Sequence, residues 1–158
     1  MYSVVAAFSL LILSVLVGIS ISSKISNKKN FYKALLDFNN DLLTEIKFQR
    51  NDVNFLLLKS YMCDDFNELL KQKLHIINGL YSEIYFPKYV DKNEEYELKE
   101  YFSKMGMQDA DTSIELLTRY GEVFFKKYTD LMQEDKIKGT LYRKMGVMVG
   151  IIAFIIVI

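Results

Sequence analysis

The sequence predicts an all-α protein: a helical bundle of about six helices set between two terminal membrane-spanning helices. Three observations carry this. Charges of both signs recur from Lys24 to Lys144, yet none falls between Tyr2 and Ser23 and none follows Lys144. Inside the charged region, apolar residues recur at steps of three and four, the spacing of one helix face. From Ala110 to Leu131 that spacing holds for three heptads, the regime of helix-on-helix packing. At 158 residues the chain holds one ordinary domain. The expected divisions are a first span over residues 2–23, a bundle over 24–144 and a second span over 145–158.

The first apolar run, YSVVAAFSLLILSVLVGISISS, reaches about 33 Å as a helix, which matches the hydrocarbon core of a bilayer. A cleaved signal peptide carries its positive charge ahead of a shorter apolar run. Here Lys24, Lys28, Lys29 and Lys33 come after it. The last run has about 14 residues beyond Lys144, or about 21 Å. Starting at Leu141, with Arg143 and Lys144 snorkelling, it reaches about 27 Å and spans a slightly thinned bilayer. It is apolar on every face, unlike a core helix with one side in water.

The cations flanking the two runs set an orientation. Lys24, Lys28 and Lys29 follow the first, and Lys136, Lys138, Arg143 and Lys144 precede the second. Both clusters lie on the side of the intervening domain, and positive flanks favour the cytoplasm. These seven side chains are the expected membrane-facing basic residues, each worth about 1 kcal/mol against anionic headgroups. Gly146 and Gly150, four apart, form the expected packing seam of the second span. Ser14, Gly18 and Ser22 show a looser version of that spacing, ascribed to the general abundance of small residues in membrane helices.

Between the spans, Phe31, Leu35, Phe38, Leu42 and Ile46 form one helical stripe. Asn51 and Asp52 can cap a second helix from Val53. Asp64 and Asp65 can cap a third, through Phe66, Leu69, Leu70 and Leu74 to Asn78 and Gly79. LYSEIYFPKYV is aromatic and β-branched enough for a strand, but Pro87 interrupts it and no partner strand is evident. It is read as a short helix or an aromatic loop. Asn93 or a residue near it opens the next helix, through Leu98, Tyr101, Phe102 and Met105, with Gly106 as its stop. Asp109 or Asp111 caps the longest, whose stripe is Ala110, Ile114, Leu117, Gly121, Phe124, Tyr128 and Leu131.

Patterns that carry chemistry are sparse, and no enzyme activity is expected. His75 is the sole histidine, so motifs needing two have no second partner. Cys63 cannot form an internal disulfide, and the aspartates after it oppose a reactive thiolate. Asp64–Asp65 and Asp109–Asp111 are read as helix caps rather than catalytic pairs. The glycines are scattered, with no phosphate loop among them. Net charge is zero, with no basic stripe for nucleic acid. No cofactor, metal or small-molecule substrate is expected.

Three segments taken in order, LLTEIKF, EYELKEYFSKMGMQD and YRKMGVMVGIIAFIIVI, resemble the stage III sporulation protein AB family. LLTEIKF (42–48) is similar to a Leu-x-x-Glu-Ile-x-aromatic element closing the first helix of the domain. In EYELKEYFSKMGMQD, Phe102, Met105, Gly106 and Asp109 occupy the places of a Phe, a Leu-Gly-like pair and an Asp. YRKMGVMVGIIAFIIVI is similar to the closing segment, with a basic pair, a hydrophobe-Gly pair, a second Gly four on and an apolar end. The chain departs from the family pattern in having no Trp and in carrying Ser113 and Ile114 where a Gln is usual.

The resemblance implies a six-helix soluble fold shared with platform proteins of type II secretion and type IV pilus machines. It also implies a structural role, in the mother-cell membrane around the forespore, in the channel joining the two cells. The implied partners are membrane lipids, the cytosolic ATPase encoded with the protein and the other stage III membrane subunits. The alternative reading is a signal-anchored extracytoplasmic helical envelope or receptor protein.

Overall fold

The computed structural model describes residues 2–48, 53–79, 83–105 and 109–157. Among them the chain is helical, with no strand. The elements are α1 (Tyr2–Phe48), α2 (Val53–Leu58), α3 (Asp64–Ile77), α4 (Lys92–Lys104), α5 (Ala110–Glu134), a π turn (Asp135–Gly139) and α6 (Thr140–Val157). Because α5, the π turn and α6 form one uninterrupted run, the described residues make five continuous helices. This corrects the expected count of about six helices. No Pro or Gly lies between Ile19 and Gly79, so nothing breaks α1 after its apolar run. At the other end Gly139 is accommodated inside the helix as part of the π turn.

The chain divides into two compact units, Asn30–Thr129 and the paired ends Met1–Lys29 with Asp130–Ile158. In the first unit, Phe31, Leu35, Phe38 and Leu42 are fully buried, and the stripe fades at half-buried Ile46. Phe38 meets Phe66 of α3 edge-on at 5.8 Å and Phe102 of α4 at 6.4 Å. Tyr101 is enclosed by Tyr120 and Phe124 of α5 at 5.0 and 5.1 Å. The aromatic residues therefore form one connected core across α1, α3, α4 and α5. One polar side chain is embedded in it. Asn39 donates to the Leu117 carbonyl at 3.0 Å and accepts from the Tyr101 hydroxyl at 3.2 Å, so its burial leaves neither end of the amide unpaired.

The helix starts differ in detail from expectation. Asp64 and Asp65 lie in the first turn of α3, where they favour the positive end of the helix dipole. The cap position itself belongs to Cys63, whose side chain makes no cap bond. The start of α4 is set by Asp91, two residues before Asn93 and so within the expected neighbourhood. Its carboxylate accepts from the N–H groups of Asn93 and Glu94, while Glu94 reaches back to the Asp91 N–H, a capping box. Asp109 accepts from Thr112 N–H at 3.3 Å, as expected of the start of α5. Gly79, at φ 74°, ends α3 in the left-handed conformation glycine permits. Residues 83–90 carry no helix, so Pro87 decides for the aromatic loop there. The proposed caps Asn51 and Asp52, the stop Gly106 and the start of the aromatic stretch lie outside the described residues.

Glu94 does more than cap. It is 3 % exposed, and its second oxygen lies 2.9 Å from Lys127 of α5. Glu94→Ala therefore removes both a cap partner and a bridge between helices. Lys127 keeps access to water, so the expected cost is about 2–3 kcal/mol, read as a lowered urea midpoint. Glu94→Gln, which still offers Asp91 an acceptor, is expected to recover part of it.

Candidate functional site

The paired ends form an antiparallel helix hairpin built on small residues. Within each partner helix an 18-residue window has mean hydropathy 2.0 or 1.5, so both are long and apolar enough to cross a membrane. Between apolar helices in lipid, association depends on close packing and hydrogen bonds, because leaving lipid for a neighbouring helix gains no hydrophobic energy. Close packing is what the hairpin has. A Cβ on Gly18 would lie 2.7 Å from the Tyr142 carbonyl oxygen and 3.1 Å from the Gly146 Cα. One on Gly146 would lie 3.0 Å from the Ser14 carbonyl oxygen, and one on Gly150 would lie 3.2 Å from that of Leu11. All these obstacles are backbone atoms, which cannot rotate aside.

Gly146 and Gly150 thus sit in the seam, both buried. The correction concerns the other helix: Ser14, Gly18 and Ser22 supply its facing side rather than being incidental. Ser14 Oγ donates to the Gly146 carbonyl at 2.6 Å, and Ser22 Oγ, 1 % exposed, accepts from Arg143 Nε at 2.8 Å. Their four-residue spacing was visible in the sequence; what was missing was a partner for it. At the far end of the hairpin Phe8 and Phe154 pack edge-on at 5.1 Å.

The opposite end carries the charges. Lys29 pairs with Asp135 at 2.5 Å, with both side chains largely shielded. Asp135 belongs to the π turn, and a Cβ on Gly139 would come within 2.8 Å of its Oδ1, so the missing side chain makes room for the carboxylate. The seven predicted basic residues divide into two groups. Lys29, Arg143 and Lys138 have structural partners in Asp135, Ser22 and Glu134, the last at 2.8 Å. Lys24, Lys136 and Lys144 are exposed, and Lys28 is half-buried. The hairpin brings all seven to one end. Asp135, which no sequence pattern singled out, belongs with them.

The seam draws on both ends of the chain, and a match to a known family reaches both as well. The family model for stage III sporulation protein AB covers residues 3–158. The chain belongs to the stage III sporulation protein AB family. No curated protein and no solved structure matches it. Membership of the stage III sporulation protein AB family implies a role in stage III of sporulation and contact with other sporulation proteins.

For this family member, charge is distributed unevenly. Seven cations and three carboxylates fall in residues 1–29 and 130–158, leaving thirteen cations and seventeen carboxylates in 30–129. The hairpin is net basic and the bundle net acidic. Cys63 and two tyrosine hydroxyls of the bundle are held in their protonated forms. Burial, then Asp65 and Asp64, push the Cys63 thiol up, against an opposing effect of the Phe66 and Asp65 N–H groups. The hydroxyls of Tyr61 and Tyr89 are held well above the ordinary phenol range, first by burial and then by hydrogen bonds to Asp41 and Asp65. Both act as donors that tie loops to helices, Tyr61 to Asp41 at 2.8 Å. Among the described residues no three His, Cys, Asp or Glu side chains gather as metal ligands.

Proposed function

We propose that this chain is a structural membrane component of the channel apparatus built between mother cell and forespore. Its hairpin anchors it in the mother-cell membrane, and its bundle, on the cytosolic side, acts as a scaffold for the ATPase and the other membrane subunits. In this reading residues 2–23 and 145–158 are solvated by lipid, and residues 24–144 form the cytosolic part, with a platform-like fold. The observation that carries it is the glycine-lined hairpin, whose outward faces are apolar and whose seven cations gather at one end. That arrangement suits two helices crossing a bilayer together with their positive end on the cytoplasmic side. No catalytic role is assigned. The fold works by holding parts in place.

Cysteine accessibility in intact cells tests the orientation. Cys63 has a raised thiol and is expected to react slowly, so Asn93→Cys in a Cys63→Ser background supplies an exposed reporter. A membrane-impermeant maleimide should leave that reporter unlabelled until the cells are opened. Labelling in intact cells would place the bundle outside and favour an envelope receptor. In a spore-forming host lacking its own copy, deletion of residues 145–158 is expected to abolish membrane assembly and sporulation. Full sporulation by that strain would overturn the scaffold reading.

A further inference from the structure

A second feature lies in the bundle and stands independently of the hairpin. α1 and α5 run antiparallel there: Lys127 lies over the Tyr32 ring at 5.9 Å, and Asn39 bonds to Leu117. Between them is a groove of about 310 Å³, lined by Leu36, Asn40, Leu43, Gly121, Glu122 and Phe125 among others. Gly121 keeps its floor low, since a Cβ there would already press on the Asn39 amide at 3.1 Å. Phe125, 60 % exposed, stands at one side. Asn40 also lines a neighbouring hollow with Asp37, Asp41 and Met62, so the two form one continuous face. Met62 is 91 % exposed there.

The occupant is fixed by shape and charge. A largely apolar trough between two antiparallel helices accepts the apolar side of a third helix through anchors at i, i+3/i+4 and i+7. Four carboxylates line this face and the adjoining surface of α5: Asp37, Asp41, Glu115 and Glu122. Two cations also line it and offset part of that charge, leaving the face net negative. Lys59 is held by Asp41 at 2.6 Å, and Arg119 lies over the Tyr120 ring. A second copy would bring the same carboxylates against these, and an anionic lipid surface would be repelled in the same way. We propose that this face receives an amphipathic helix of another protein, its apolar side in the groove and Lys or Arg along its flanks.

The test uses the full-length chain in uncharged maltoside micelles. The probe is a fluorescein-labelled 18-residue helical peptide with Leu on one face and Lys on the other, compared with a twin carrying Glu for Lys. Saturable anisotropy is expected with the Lys peptide. Binding should fall about tenfold or more for the Glu twin, for Glu122→Lys and for Phe125→Ser, the loss typical of an interface anchor. Both substitutions are at exposed positions; should Phe125→Ser lower the melting temperature, Glu122→Lys alone decides. Equal affinity of the Lys peptide for parent and Glu122→Lys overturns the proposal. So does a dimer of the full chain that Phe125→Ser dissolves, or flotation with anionic vesicles that Phe125→Ser abolishes.

Discussion

Gly18→Leu is expected to separate the two helices of the hairpin. Even the first carbon of the new side chain would lie 2.7 Å from a backbone carbonyl, and three more carbons would follow it into a space filled by Gly146. Overpacking of this kind costs about 1–3 kcal/mol when neighbours can yield. Here the neighbours are main chain, and the Ser14 and Ser22 hydrogen bonds depend on the same close approach. Loss of pairing is expected rather than adjustment. A disulfide between Phe8→Cys and Phe154→Cys, in a Cys63→Ser background, reports it, because the two parent rings are in edge contact. Oxidation should be rapid in the parent and at least about tenfold slower with Gly18→Leu, the factor corresponding to 1.4 kcal/mol of lost pairing. Equal rates would show that the seam does not hold the helices together.

The second large effect is expected in the bundle. Phe38→Ala empties the centre of the aromatic core, where the ring touches Tyr61, Phe66 and Phe102. A fully buried Phe truncated to Ala costs about 3–5 kcal/mol. Native domains are stable by only about 5–15 kcal/mol, so much of the reserve would go. Urea unfolding followed by tyrosine fluorescence should show a large fall in midpoint, with Phe38→Leu intermediate. A change under about 1 kcal/mol would mean that the surrounding helices collapse into the gap, contrary to the tight packing described.

How much of this could be read from the sequence depends on whether the signal was local. The stripe Phe31, Leu35, Phe38 and Leu42 was legible because burial on one helix face leaves a period. Pro87 argued against a strand in the aromatic stretch, but left a short helix and a loop both open. The Asp91–Glu94 capping box was also written in the chain as an acid followed three residues later by a glutamate, yet Asn93 was the more conspicuous candidate. Asn39 and the ion pair of Glu94 with Lys127 were not legible, because a polar residue in a core is intelligible only once its distant partners are known. The hairpin shows the same division. Gly146 and Gly150 stood out against an apolar run. Ser14, Gly18 and Ser22 gained meaning only when the other helix was laid against them. Asp135 lay among alternating charges with nothing to mark it as the partner of Lys29.

The five-residue π turn bears on that alignment. A π turn closes its hydrogen bonds one residue later than an α turn, so it inserts about one extra residue into the winding. Removing that extra residue from Asp135–Gly139 would restore ordinary winding and leave the later side chains in phase, whereas removing one between Thr140 and Met145 would swing each later side chain by about 100° around the axis. Gly146 and Gly150 would then rotate away from Ser14 and Leu11, and bulkier neighbours such as Val147 and Ile151 would turn inward. The phase of the final helix is thus encoded upstream of its glycines. A one-residue deletion between Thr140 and Met145 would misalign the hairpin although every glycine and serine of the seam is retained.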